Sequence, residues 1–174
     1  MRKLLFILAT FICCVANAQT DQSLRVYIED NDGAYTNVRI KPSGKVVDRI
    51  PTDASAMLNV ETPKNGWWRI TDDTYCAILN GDFEDVKLKG STTGYWVHYS
   101  CIGCSTRNYG GQHLKLRSEP KANARVVYTI KKQEAVVRPV EIKDSWVKVK
   151  TLDGKGFGWI EEEWLCGSSV TTCC

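Results

Sequence analysis

No excess of charge of either sign marks this 174-residue chain: 23 lysines and arginines stand against 20 aspartates and glutamates. A nucleic-acid surface needs a strong basic footprint, and electrostatic membrane attachment needs a polybasic cluster, so neither partner is expected. Histidine is scarce, with only His98 and His113. Zinc requires four ligands; Cys101-x-x-Cys104 could supply two, but these histidines complete no common finger spacing. No metal and no cofactor is therefore expected. A glycine-rich phosphate loop is missing, and no βαβ pattern surrounds Cys101-x-x-Cys104 to suit a thioredoxin-like redox site. The apolar run Leu4 to Val15 is too short to span a bilayer comfortably.

That run has another meaning. Arg2-Lys3 precedes it and Ala16-Asn17-Ala18 follows it, the pattern of a secretory signal peptide. Residues 1–18 are expected to be removed, leaving Gln19 first and no membrane span. The rival is a lipoprotein acylated on Cys14, for which Ile12-Cys13 are poor preceding residues. The protein is thus expected to be exported, periplasmic or secreted. Residues 19–174 hold 21 basic and 20 acidic side chains, and suffice for one ordinary domain or two small ones.

Two of the eight cysteines, Cys13 and Cys14, leave with the signal. Cys76, Cys101, Cys104, Cys166, Cys173 and Cys174 remain as disulfide candidates. An even number in an exported chain reads first as crosslinks, which help folds that bury little apolar area. Six cysteines allow 15 pairings. One of Cys173 and Cys174 tied to Cys166 would pin the tail back onto the preceding strands.

From Leu114 to Leu165, apolar and polar residues alternate in short runs separated by turn residues. The runs are Leu114-Lys115-Leu116-Arg117, Val126 to Ile130, Trp146-Val147-Lys148-Val149, and Gly158-Trp159-Ile160 with Trp164-Leu165 behind. Period-2 alternation marks half-buried strands, and close spacing of the runs marks a small barrel or sandwich. A weaker copy precedes it. Val38-Arg39-Ile40-Lys41 matches Leu114 to Arg117, and Val46-Val47 with Ile50 matches Val126-Val127 with Ile130. Trp67-Trp68-Arg69-Ile70 matches Trp146 to Val149, and Trp96 to Ile102 matches Trp159 to Leu165. The first copy carries an insertion at about 71–93, where Asn80-Gly81 between apolar runs signals a hairpin. Such a hairpin either lays its apolar face on the first unit or serves as a contact arm. Residues 101–111 are short, polar and glycine-rich, and read as a linker. The expected organisation is all-β: one unit over 19–104 and a second over 105–174 with its cysteine-bearing tail.

Alternation also assigns faces. Val147 and Val149 point inward, which puts Trp146 beside Lys148 on the outer face. Trp68 and Ile70 likewise point inward, with Trp67 and Arg69 outside.

The Leu-x-Leu-Arg-Ser-x-Pro opening, the Trp-x-Lys-Val strand and the Gly-Trp-Ile-x-x-x-Trp-Leu close resemble a bacterial SH3 domain. The resemblance implies two strongly bent small barrels in tandem that bind rather than catalyse. It carries aromatic groove positions onto Trp146, Trp159 and Trp164 in the second unit, and onto Trp67, Trp96 and Cys101 in the first. Glu161, with Glu162 and Glu163, would rim the second groove and favour amino groups on a ligand. A peptide or peptidoglycan fragment of the cell envelope is the expected ligand, or else an envelope protein. The alternative is an interaction module whose grooves are filled by its own chain or a partner. SH3-like domains often accompany cysteine peptidases, but a peptidase needs a further domain for which no room remains, so no enzymatic activity is expected.

Overall fold

The computed structural model describes residues 22–171 and Cys173. The signal segment 1–18, the start at Gln19, and Cys174 lie outside the described residues.

The chain is all-β. Its strands are β1 (Ser23–Ile28), β2 (Tyr35–Arg39), β3 (Val46–Pro51), β4 (Met57–Lys64), β5 (Trp67–Ile70), β6 (Thr74–Leu79), β7 (Asp82–Lys87) and β8 (Tyr95–His98). After a 3-10 turn at Tyr99–Cys101 come β9 (Ile102–Thr106), β10 (Leu114–Arg117), β11 (Val126–Ile130), β12 (Val136–Lys143), β13 (Trp146–Thr151) and β14 (Phe157–Glu161). A second 3-10 turn, Glu162–Trp164, leads into β15 (Leu165–Cys166). Alternating burial follows alternating sequence, as in β13, where Val147 and Val149 are sealed and Lys148 is not.

Strand pairing repeats along the chain. The pairs β2–β3, β2–β8, β4–β5 and β5–β8 recur as β10–β11, β10–β14, β12–β13 and β13–β14. The ladders correct the register of the repeat. Arg39 faces Trp96 and Arg117 faces Trp159, so Arg39 is the counterpart of Arg117 and Val38 of Leu116. The match drawn from sequence is displaced by two residues here. A two-residue slip keeps every side chain on its face, so alternation alone does not detect it. The corrected alignment sets Val38-Arg39-x-x-Pro42 on Leu116-Arg117-x-x-Pro120. Both arginines donate to a nearby loop carbonyl, Arg39 to Gly44 at 2.7 Å and Arg117 to Ala124 at 2.9 Å.

The segment expected to be a linker is in its first part a central strand. β9 pairs with β1 through Ile102 and Gly103, with β12 through Cys104 and Ser105, and with β15 through Ser105 and Thr106. It closes the first set of strands and opens the second. Ile102, Gly103, Cys104 and Thr106 are all buried, which a tether between separate bodies has no reason to be. Residue 104, where the sequence placed the end of the first unit, therefore lies inside this strand.

One apolar cluster runs through both halves, from Leu24, Val26, Val60 and Trp68 to Leu116, Val137, Val147 and Ile160. Its polar crossings are hydrogen-bonded. The sealed Trp68 indole donates from Nε1 to the Pro139 carbonyl at 3.0 Å. Arg138 donates to the carbonyls of Glu29 at 2.6 Å and Ile102 at 3.1 Å. The Tyr27 hydroxyl meets Ser105 Oγ at 3.0 Å. Gly167 leaves β15 so close to β1 that a Cβ would collide with the Arg25 carbonyl, so no larger residue fits there.

Two outcomes follow for stability. Trp68→Phe strands the Pro139 carbonyl and opens a void, which should cost about 2–3 kcal/mol in urea denaturation. Because the cluster is continuous, both halves should unfold in one transition. Burial pushes the Tyr27 phenol from 10.0 up to about 12, and the Ser105 bond offsets this only partly. A raised folded pKa means stability is intact below pH 10 and is lost as pH climbs toward 12. Tyr27→Phe should remove about 2 kcal/mol of that alkaline loss, read from urea midpoints against pH.

Candidate functional site

The outer face of the second half is set by β13, β14 and β10. Cross-strand pairing lays Trp146 beside Glu161, Lys148 beside Trp159 and Lys150 beside Phe157. Trp146 and Trp159 stand outside the core cluster, as alternation required. They are not solvent-exposed, however: Trp146 is 8% exposed and Trp159 6%. The outward indoles expected from sequence are thus corrected to covered ones. Alternation fixes the side of the sheet on which a residue sits, not what else the chain lays over it.

A cavity of about 230 Å³ opens on this face, lined by His113, Lys115, Arg117, Trp146, Glu161 and Trp164 among others. Trp146 is its deep aromatic wall, and the half-buried Trp164 comes from the second 3-10 turn. Lys115 and Arg117 from β10 bring positive charge, and Glu161 from β14 brings negative charge. The expected trio is therefore split. Trp146, Trp164 and Glu161 meet in one cavity; Trp159 is not in its wall and lies instead under Lys148, whose Nζ is 5.5 Å from the ring centroid. His113, Lys115 and Arg117 were not assigned to a groove from sequence. Their signal was their place in the opening strand, which crosses β14 at Arg117 and Trp159. Glu162, next to the site, has its carboxyl raised by burial.

The equivalent place in the first half is occupied by its own side chains. Trp67, half-buried, meets the His98 ring at 5.0 Å between centroids and the Arg39 guanidinium at 5.6 Å. His98 also touches the Tyr99 ring at 4.7 Å, and its Nδ1 lies 2.7 Å from Ser100 Oγ. Burial lowers the His98 pKa, so the imidazole is neutral at physiological pH. Trp96, also half-buried, faces Arg69, which is held by Glu61 at 2.6 Å. Cys101 stands where the second half has Trp164.

Cysteine chemistry separates into two kinds. Cys166 and Cys173 form a disulfide, one of the closures open to the tail. Cys76, Cys101 and Cys104 are free thiols, so the expectation that they too are crosslinked is corrected. Each lies on a different stretch of strand or turn, and Cys104 faces the core while Cys76 sits on β6. Burial pushes the Cys101 thiol from 9.0 to about 11, with only partial relief from Ser100, and raises Cys104 further. Ser100 Oγ sits between His98 Nδ1 and Cys101 Sγ, at 2.7 and 3.7 Å, but a thiol held protonated is a poor nucleophile. Among the described residues, no three His, Cys, Asp or Glu side chains gather as metal ligands.

Residues 113–165 match the bacterial SH3 domain family. No curated protein matches the chain. Among solved structures the chain is similar to NlpC1 from Trichomonas vaginalis, at 11% identity and a TM-score of 0.30, over 90% of this chain and 50% of that one. It is similar also to NlpC2 from Trichomonas vaginalis, at 9% identity and a TM-score of 0.31, over 83% of this chain and 48% of that one. The chain spans about half the length of both.

Thiol accessibility gives a direct check on the cysteines. In the folded protein at pH 8, a thiol reagent should label the partly exposed Cys76 first. Cys101 should react slowly and Cys104 only after denaturant is added. A complete absence of thiols in the denatured, unreduced protein would mean that all these cysteines are crosslinked.

Proposed function

We propose that this chain is an exported, non-enzymatic binding module of the bacterial cell envelope, built as two SH3-like barrels fused on β9. Its ligand is a peptide or peptidoglycan fragment that carries both an amino group and a carboxylate. The observation that carries this reading is the cavity at Trp146 and Trp164, with Lys115 and Arg117 on one strand and Glu161 on another. An aromatic wall offers large contact area at low entropy cost. Opposed charges at its rim discriminate an amphoteric chain from a sugar alone, since a neutral ring would leave both partly desolvated charges unanswered. The bacterial SH3 match over 113–165 covers this same segment. The raised Cys101 thiol supports a binding role over a nucleophilic one.

The self-occupied Trp67 face favours a narrower version for the first half, in which it is scaffold and the second half alone takes ligand.

Retention on purified peptidoglycan tests the proposal. Trp164 is only half-buried, so Trp164→Ala should leave the fold intact and weaken retention about 10-fold, the effect of losing one well-packed aromatic contact. Glu161→Gln should act selectively on ligands with a free amino group. Trp67→Ala should leave retention unchanged. Equal retention by the wild type and Trp164→Ala would remove the site assignment, and no retention by either would remove the ligand class.

A further inference from the structure

The repeat provides an internal comparison that isolates a second surface. In the first half, the β6–β7 hairpin lies against the start of β4. Met57 pairs with Cys76, and the Ile78 amide donates to the Ala54 carbonyl at 3.0 Å. Tyr75 and Ala77 of the hairpin, Leu88 just past it, and Ala56 at 1% and Met57 at 4% exposure are all sealed there. The counterparts of Ala56 and Met57 are Ala135 and Val136. This follows from the amides of Ile28 and Thr106, which bond to the carbonyls of Ala56 and Ala135 respectively.

The second half has no hairpin, only the turn between β13 and β14. The corresponding place is open: a cavity of about 630 Å³ lined by Tyr128, Ile130, Ala135, Val136 and Leu152, with Lys131 and Lys132 at its edge. Ala135 and Val136 are left partly exposed, and Leu152 is 49% exposed. Lys155, exposed on the adjoining turn with its Nζ 4.0 Å from the Asp153 carboxylate, adds a third cation. The nearby acids are Glu134 and Asp153, and the latter is engaged by the Thr151 hydroxyl at 2.6 Å.

The same chain presents the complementary element. Only the base of the β6–β7 hairpin is used in covering the first half; its tip stands free. Phe83 is 57% exposed and Leu79 36%. Asp85 shares the face of Phe83, and Asp82 and Glu84 flank it on the other face of the ribbon; all three are exposed. Asn80 and Gly81, at φ 53° and 96°, form the tight turn that closes this tip. An acidic tip bearing a phenylalanine thus matches a basic-edged apolar cavity that, in the other half, a piece of the same hairpin closes.

We propose that the hairpin tip of one copy docks in the Tyr128–Leu152 cavity of a second copy. Phe83 fills the apolar floor, and Asp82 and Glu84, on the other face of the ribbon, meet Lys131 and Lys132 where these reach over it from the cavity edge. The contact joins two different surfaces, so it closes as a dimer when the exchange is reciprocal and otherwise extends as a chain. It is separate from the Trp146–Trp164 cavity and leaves that site free.

Sedimentation of the exported chain at low salt tests this. The wild type should associate below about 1 mM, the affinity expected of a small transient contact. Association should weaken as salt screens the charge pairs. Phe83→Ser should reduce association at least 10-fold while circular dichroism and the urea midpoint stay at wild-type values. The pair Asp82→Lys with Glu84→Lys should be monomeric, and so should the pair Lys131→Glu with Lys132→Glu. Mixed in equal amounts, these two variants should associate with each other, because both contacts then regain opposite charges. A wild type that stays monomeric, a Phe83→Ser protein that associates unchanged, or folded charge variants that fail to associate on mixing would each overturn the proposal. Retention on peptidoglycan by all these variants should equal that of the wild type, which separates failure here from failure of the ligand-binding reading.

Discussion

Everything in this molecule depends on β9 being used twice. A strand has two hydrogen-bonding edges, and each buried amide or carbonyl left unpaired costs on the order of 1–3 kcal/mol. β9 meets that demand by pairing with β1 for the first half and with β12 and β15 for the second. The two sets of strands then cannot part without exposing both ladders. This explains why the side chains at the seam are so fully satisfied. The Trp68 indole, the Arg138 guanidinium and the Tyr27 hydroxyl each find a partner contributed by the other half or by β9 itself. Small barrels bury too little apolar surface to be robust alone. Sharing one strand gives the two halves a common core that includes Ile102 and Cys104.

A shared core leaves the outer faces free to diverge, and they have. The scaffold positions Trp67 and Trp146 at corresponding places, paired with His98 and Glu161 respectively. In the first half, the ring at that position is satisfied by Arg39 and His98. In the second, an acid replaces the histidine and Trp164 replaces Cys101, which leaves a cavity with charge of both signs. The hairpin insertion makes the same point from the opposite side: it seals Ala56 and Met57 in the half that carries it.

Much of this was legible in the sequence, because strands with one buried face advertise themselves by alternation. β10, β13 and β14 and the Asn80-Gly81 turn could all be read from residue order alone. The inward assignment of Trp68, Val147 and Val149 also followed from period 2. The failures share a cause. Alternation is blind to a shift of two residues, so Val38-Arg39 was aligned one pleat away from its true counterpart. It is blind to what covers an outer face, so Trp146 and Trp159 were expected to be more open than they are. Composition misled at β9, where Gly103, Ser105 and Thr106 look like loop residues. There, close approach and satisfied hydroxyls decide: a Cβ on Gly103 would sit 3.1 Å from both Glu29 and Val136, and the Thr106 hydroxyl donates to Asn108 at 2.8 Å.

The cysteines illustrate how local support selects a crosslink. β15 is two residues long and is the last strand of the second half, so its few ladder bonds hold it weakly. The Cys166–Cys173 bridge closes a short loop beyond it, worth about 2 kcal/mol by loop-closure entropy. The Cys173 amide adds a bond to the Tyr109 hydroxyl at 3.2 Å, tying the tail to the segment after β9. Cys104 needs no such help: it is sealed at the centre of the sheet, and its thiol meets the Arg25 carbonyl at 3.5 Å. Covalent support thus falls where the hydrogen-bonded network ends, and packing suffices where strands are held on both edges. By the same logic the tail disulfide serves the second half by keeping β15 on β9 and the Trp164 turn in place beside the cavity it lines.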